Sequence, residues 1–327
     1  GLENLEKLLV EPLLANVEQV PELHDALVEA NDHRLGGGTA QVIDAATGRV
    51  QHVCPAQPTW SPSLMFSADG AVAALVESGR VLLLDTQSGV PLQEIHTSKH
   101  DGEGHNFGIW PAALSPDGKR IALACGGTKP YVLHVLDTHT KRVIARFPKE
   151  LSQPWDLRFS SDGGRLLVMS TPVYLWDLTS DEITARFQPV RIDTAHHEVS
   201  FSPDERKVVT ATSREVQLWD IANQACEIHW NRERSYLYVR EVFFDRSGSL
   251  LVLATPGDSA LAARLHDAAT DRLVGKLDFP VEIFPSTHLA LAPDGRRVAY
   301  HVGAQRQKAH HVGGQINVCD LSTGKLR

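Results

Sequence analysis

Phe159-Ser160-Ser161-Asp162-Gly163 is the stretch whose reading decides the fold, taken with Arg165-Leu166-Leu167-Val168-Met169 behind it. The Asp carboxylate can cap the backbone of a tight turn, and Gly accepts a left-handed backbone without steric cost. Apolar alternation flanks the turn on both sides, which is the signal of a β-hairpin. Further on stands Leu175-Trp176-Asp177, a short strand that ends in Asp ahead of turn residues.

Both phrases recur. The hairpin phrase returns as Phe66-Ser67-Ala68-Asp69-Gly70, Leu114-Ser115-Pro116-Asp117-Gly118, Phe201-Ser202-Pro203-Asp204-Glu205, Phe244-Asp245-Arg246-Ser247-Gly248 and Leu291-Ala292-Pro293-Asp294-Gly295, at spacings of 42 to 48 residues. The strand-and-Asp phrase ends at Asp44, Asp85, Asp137, Asp177, Asp220, Asp267 and Asp320, at a mean spacing of 46. Small turn residues and another short strand come next, as in Val143-Ile144-Ala145-Arg146-Phe147. Each unit is therefore four short strands, and one such sheet cannot bury both of its faces alone. The units must stack face to face about an axis.

Trp-Asp at 176–177 and 219–220, with the Ser-Pro-Asp-Gly hairpins, resembles the WD-repeat family over about residues 40–327. The family's Gly-His dipeptide occurs once, as Gly104-His105 ahead of Ser115, so its His-based tetrad is mostly absent and the chain reads as a divergent, prokaryotic-looking member. The resemblance implies an all-β fold, a seven-bladed β-propeller of four-stranded antiparallel blades. Residues 31–327 are expected to form it. Residues 1–30 read either as a helical segment, from the spacing of Leu2, Leu5, Leu8, Leu9 and Leu13, or as strands of a first or closing blade. After Asp320 only Leu-Ser-Thr-Gly-Lys-Leu-Arg remains, so ring closure would draw on the N-terminal segment. With no initiator Met, the chain also reads as a piece of something longer.

Composition narrows the function. The 327 residues are 42% apolar and 22% charged, an ordinary globular balance. A net charge of −8 argues against a nonspecific nucleic-acid binder, which needs clustered Lys and Arg. No apolar run approaches the ~18 residues of a membrane span, and no signal peptide leads the chain, so a cytoplasmic protein without a membrane partner is expected. Cys54, Cys125, Cys226 and Cys319 lie far apart and read as small buried hydrophobes in a reducing compartment.

Function in such a scaffold sits on its loops. Five residues before the hairpin phrase's second position stand Trp110, Trp155, His197 and Arg240 in four successive units. All four fall at the end of the blade opposite the hairpins, the top face, and aromatics with Arg around one rim suit a protein-binding surface. The alternative is that both Trp pack inside between blades. Long loops add Arg232, Arg234 and Tyr236, then Arg306 and Lys308, a basic set that fits an acidic segment of a protein or peptide partner.

Other chemistry is weaker. His100, His105, His196, His197, His310 and His311, with Asp101 and Glu103, lack fixed metal-ligand spacing, so no cofactor or metal is expected. Gly102-x-Gly104-x-x-x-Gly108 misses phosphate-loop spacing and precedes a strand, and Gly257-Asp258-Ser259-Ala260-Leu261 lacks a nucleophile elbow's second Gly. The repeat aspartates are accounted for by turn capping. The reading is a noncatalytic interaction scaffold. Its alternatives are a sensor or regulatory domain of a larger kinase, protease or ATPase, and a propeller hydrolase or lyase using top-face His.

Overall fold

The hairpin phrase is a turn of one construction wherever its side chains are seen. In a computed structural model, the amide of the phrase's fifth residue donates to the Ser carbonyl: Gly70 to Ser67, Gly118 to Ser115, Gly163 to Ser160 and Glu205 to Ser202, at 2.8–2.9 Å. That fifth residue is left-handed in all four turns, at φ +64°, +67°, +67° and, for Glu205, +54°. The Ser hydroxyl donates to the Asp carboxylate at 2.5–2.6 Å. The Ser oxygen in turn accepts the amide five residues on, at 2.9–3.0 Å. Ser and Asp thus satisfy backbone and each other, which is why the phrase demands both.

The structure describes residues 8–9, 25–30, 38–44, 50–56, 63–77, 79–96, 109–126, 131–189, 197–231, 237–244, 249–256, 262–270, 272–278, 289–291, 297–302 and 315–320. Their ordered segments are strands. Sheet I holds β1 (Leu8–Leu9), β2 (Asp25–Ala30), β3 (Gly38–Asp44) and β4 (Val50–Ala56). Sheet II holds β5 (Ser63–Phe66), β6 (Val72–Glu77), β7 (Arg80–Asp85) and β8 (Pro91–His96). Sheet III holds β9 (Ile109–Leu114), β10 (Arg120–Cys125), β11 (Val132–Asp137) and β12 (Val143–Arg146). Sheet IV holds β13 (Asp156–Phe159), β14 (Arg165–Met169), β15 (Val173–Asp177) and β16 (Glu182–Phe187). Sheet V holds β17 (His197–Phe201), β18 (Lys207–Thr212), β19 (Glu215–Asp220) and β20 (Cys226–Asn231). Sheet VI holds β21 (Leu237–Phe244), β22 (Leu250–Pro256), β23 (Ala262–Asp267) and β24 (Leu273–Asp278), and sheet VII holds β25 (Leu289–Leu291), β26 (Arg297–Val302) and β27 (Gln315–Asp320).

Each sheet is an antiparallel meander in chain order. The third and fourth strands meet with a register shift at one place: between Val42 and Ile43, Leu83 and Leu84, Val135 and Leu136, Leu175 and Trp176, Leu218 and Trp219, and Leu265 and His266. The shift lies just ahead of the repeat Asp in every case. It leaves one extra residue on the outer strand, such as Leu92 or Ile144, pushed out of the ladder. This bulge explains why these two apolar residues are 47% and 52% exposed.

Sheets II to VI are stacked in sequence order, each pair sharing one apolar layer. Ala74, Leu83 and Ile95 of sheet II meet Ile121, Leu123 and Leu136 of sheet III. Ala122, Val135 and Phe147 of sheet III meet Leu157, Leu166, Val168 and Trp176 of sheet IV. Leu167, Met169, Leu175 and Phe187 of sheet IV meet Val199, Val208 and Trp219 of sheet V, and Val209, Leu218 and Trp230 of sheet V meet Val242 and Val252 of sheet VI. The middle strands are buried on both faces, as β10 and β14 show, so they carry near-continuous apolar runs. The protein is an all-β chain of repeated four-stranded antiparallel sheets, consistent with β-propeller blades.

Two expectations need revision. Leu8–Leu9 and Asp25–Ala30, for which a helix was one of two readings, are strands. Asp25–Ala30 makes an unbroken antiparallel ladder with Thr39–Asp44, and Leu8–Leu9 pair with Glu29–Ala30, which agrees with the strand reading for these residues. The rest of residues 1–30 lies outside the described residues. Cys226 is exposed and Cys125 only partly buried, so neither is the buried hydrophobe expected. Cys226 opens the outer strand of sheet V, where one face meets solvent.

Candidate partner-binding site

Antiparallel order puts the hairpins and the turns after the repeat Asp at one end of every sheet. The first strands begin at the opposite end, where the candidate residues stand. Trp155 immediately precedes β13, and its amide donates to the Met169 carbonyl at 2.8 Å. Its ring is partly buried against the apolar layer between sheets IV and V. His197 opens β17, opposite Thr212. Arg240 lies in β21 at a register shift between Val239 and Glu241. Trp110 lies in β9 where pairing with β10 also shifts, between the Ile109–Cys125 and Ala112–Leu123 pairs. These four occupy matching positions in successive sheets. Arg232, Arg234, Tyr236, Arg306 and Lys308 lie outside the described residues, as do His100, His105, His196, His310 and His311.

One position beyond this row the structure reveals a feature that the sequence reading missed. Asp156 and Glu198 stand four residues before Ser160 and Ser202, and each carboxylate reaches the first strand of the next sheet. The Val199 amide donates to Asp156 Oδ2 at 3.1 Å, and the Val242 amide to Glu198 Oε2 at 3.4 Å. Burial pushes the Asp156 carboxyl above the usual carboxylate range, against the opposing pull of Arg158, whose Nε lies 3.4 Å from it. The spacing of Asp156 and Glu198 was visible in the repeats, but the donor they serve belongs to another repeat.

Among the described residues, the repeat aspartates whose side chains are seen bond to their own turns. Asp137 accepts the Thr140 amide and hydroxyl at 2.6 and 2.8 Å, and Asp267 does the same with Thr270 at 2.7 Å each. These bonds hold both carboxyls below the usual range. Asp177 takes the Thr179 and Ser180 amides, and Asp220 the Asn223 amide. In the described Ser hairpins each Ser hydroxyl donates to its own Asp while its oxygen accepts a backbone amide, so the pair closes the turn.

A second buried polar group lies in sheet V. Glu215 accepts from Asn231 Nδ2 at 2.7 Å, with His229 Nε2 3.8 Å from its other oxygen. Among the described residues, no three His, Cys, Asp or Glu are grouped to hold a metal ion. No helix among them is long and apolar enough to cross a membrane. No family model matches the chain, and no curated protein matches it significantly.

Proposed function

We propose that the chain is a seven-bladed WD-repeat-type propeller acting as a noncatalytic interaction module in a reducing compartment. Its partner would be a protein or peptide with an acidic segment, bound on the face where the first strands begin. The observation that supports this most is the equivalent backbone placement of Trp110, Trp155, His197 and Arg240, each five residues ahead of the hairpin phrase's second position, in or next to the first strands of successive sheets; aromatic and cationic residues at such repeated positions suit a protein-binding surface. The basic loop residues Arg232, Arg234, Arg306 and Lys308, with Tyr236, extend that rim on the sequence reading. Sheets stacked through shared apolar layers give the rim a rigid support. The turn aspartates are structurally engaged, which favours recognition over acid–base chemistry.

The test is capture of a partner by the folded chain, repeated with Trp110→Ala, Trp155→Ala and Arg240→Ala. Loss of capture in any of the three, with unfolding curves near wild type, supports the site. Retention in all three removes it.

A further inference from the structure

Two non-glycine residues hold left-handed backbone in sheet V, and both send their side chains into sheet IV. Glu205 (φ +54°) stands where the matching hairpins carry Gly70, Gly118 and Gly163. Its carboxylate accepts the Ser161 amide and pairs with Arg165 Nη2 at 2.5 Å, while the Arg165 guanidinium lies 5.3 Å over the Phe201 ring. Gln224 (φ +55°) stands in the turn after Asp220, at a place where Lys141 and Asp181 of sheets III and IV are left-handed as well and sheet II has Gly89. Its Oε1 accepts the Arg186 amide on the outer strand of sheet IV at 3.0 Å. A third tie crosses at the opposite end, from Asp156 of the first strand to the Val199 amide. A left-handed non-glycine residue costs of order 1 kcal/mol, and it persists where surrounding contacts hold it.

We infer that these three ties clamp sheets IV and V into one unit that opens cooperatively. The physical argument is geometric. The attachments lie at the hairpin end, on the outer strand and at the far end of the first strand. Three points not in line add directional restraints on relative rotation to the packing of the shared apolar layer, which is non-directional. The strain at Glu205, which replaces the glycine of the other described hairpins, is then offset by contacts that exist only while the sheets stay together. Trp155 and His197 both ride on this unit. The inference does not depend on what they bind.

Native-state hydrogen exchange on the full chain tests it, read at β14 of sheet IV and β18 of sheet V. Glu205→Asn and Gln224→Asn keep a residue tolerant of left-handed backbone but shorten the side chain. Each should speed exchange at core amides of both strands together by about tenfold, the loss expected for a charged or cross-sheet hydrogen bond. Glu205→Gln, which keeps an acceptor for Ser161 and removes the charge, should give a smaller rise shared by both strands. Acceleration confined to Ser161 and Arg186 overturns the inference. So does a response of one strand without the other, or slower exchange from relief of strain.

Discussion

Each residue of the repeated turn has an assigned task, and the exceptions are informative. Gly163 combines φ +67° with a neighbour, Arg120 Nη2, that would lie 2.6 Å from an added Cβ. The guanidinium can swing aside, but the backbone cannot, so Gly163→Ala should cost about 1–2 kcal/mol in chemical denaturation. Ser160→Ala removes both the bond to Asp162 and the acceptor for the Arg165 amide, and should cost a similar ~1–2 kcal/mol. Asp156 behaves differently. Its carboxyl is raised, so the fold favours the protonated form, and its contribution to stability falls as pH rises through the folded-state value. Asp156→Asn keeps an acceptor for the Val199 amide without the buried charge. We expect stability at pH 7 equal to or above wild type, and a flatter pH profile just above the ordinary carboxylate range. A clear loss at pH 7 would mean that the ionised oxygen is needed there.

Among elements, the third strand shows most about how sequence becomes packing. Alternation along the strand turns the residue before the repeat Asp toward the previous sheet. Trp176 is fully buried there, edge-on to Phe147 with ring centres 5.5 Å apart, and its Nε1 donates to Asp181 at 3.1 Å. Trp219 meets Phe187 in the same way but with the rings tilted at 47° and centres 5.9 Å apart, and its Nε1 donates to Thr210. Trp176→Ala should cost about 3–5 kcal/mol, while Trp176→Phe keeps most of the ring contact and should cost markedly less. On the outer strand the expectation reverses. Ile144 is apolar yet sits on the bulge, so Ile144→Thr should change stability by less than about 0.5 kcal/mol, whereas Leu123→Ala should cost about 2–5 kcal/mol. The strand and turn order was legible because turn chemistry is local. The bulge was not, because it is a relation between two strands and alters neither strand's own pattern.

At the scale of the whole molecule, the turn carboxylates set the response to acid. Asp162 is held below the usual range first by the Ser160 hydroxyl and then by the Gly164 amide, and Asp204 likewise by Ser202 and the Arg206 amide. Lowered carboxyls stabilise the ionised fold. That stabilisation is complete above the unfolded value, ~4, and is lost as pH falls through the folded value. The contribution of these turn carboxylates to the melting temperature should therefore hold steady above about pH 5 and fall on further acidification, with Asp162→Asn plus Asp204→Asn shallowing the fall. An unchanged acid profile in that double variant would contradict this assignment. Of the candidate site, the equivalent spacing of Trp110, Trp155, His197 and Arg240 was readable from the repeats. The partial burial of Trp155 between sheets IV and V matches the alternative reading, in which this Trp packs between blades.

Taken alone, the sequence determined the unit: a hairpin closed by Ser, Asp and Gly, a strand ending in Asp, a second turn and an outer strand. Those features rest on contacts within a few residues, and they recur because each repeat solves the same local problem. Only the tertiary structure decided what passes between repeats, namely which faces share a layer, which side chains reach a neighbour's amide, and why Glu205 stands where the other described hairpins carry glycine. Those interactions join residues about 40 positions apart, and no local pattern encodes a partner supplied by the next sheet.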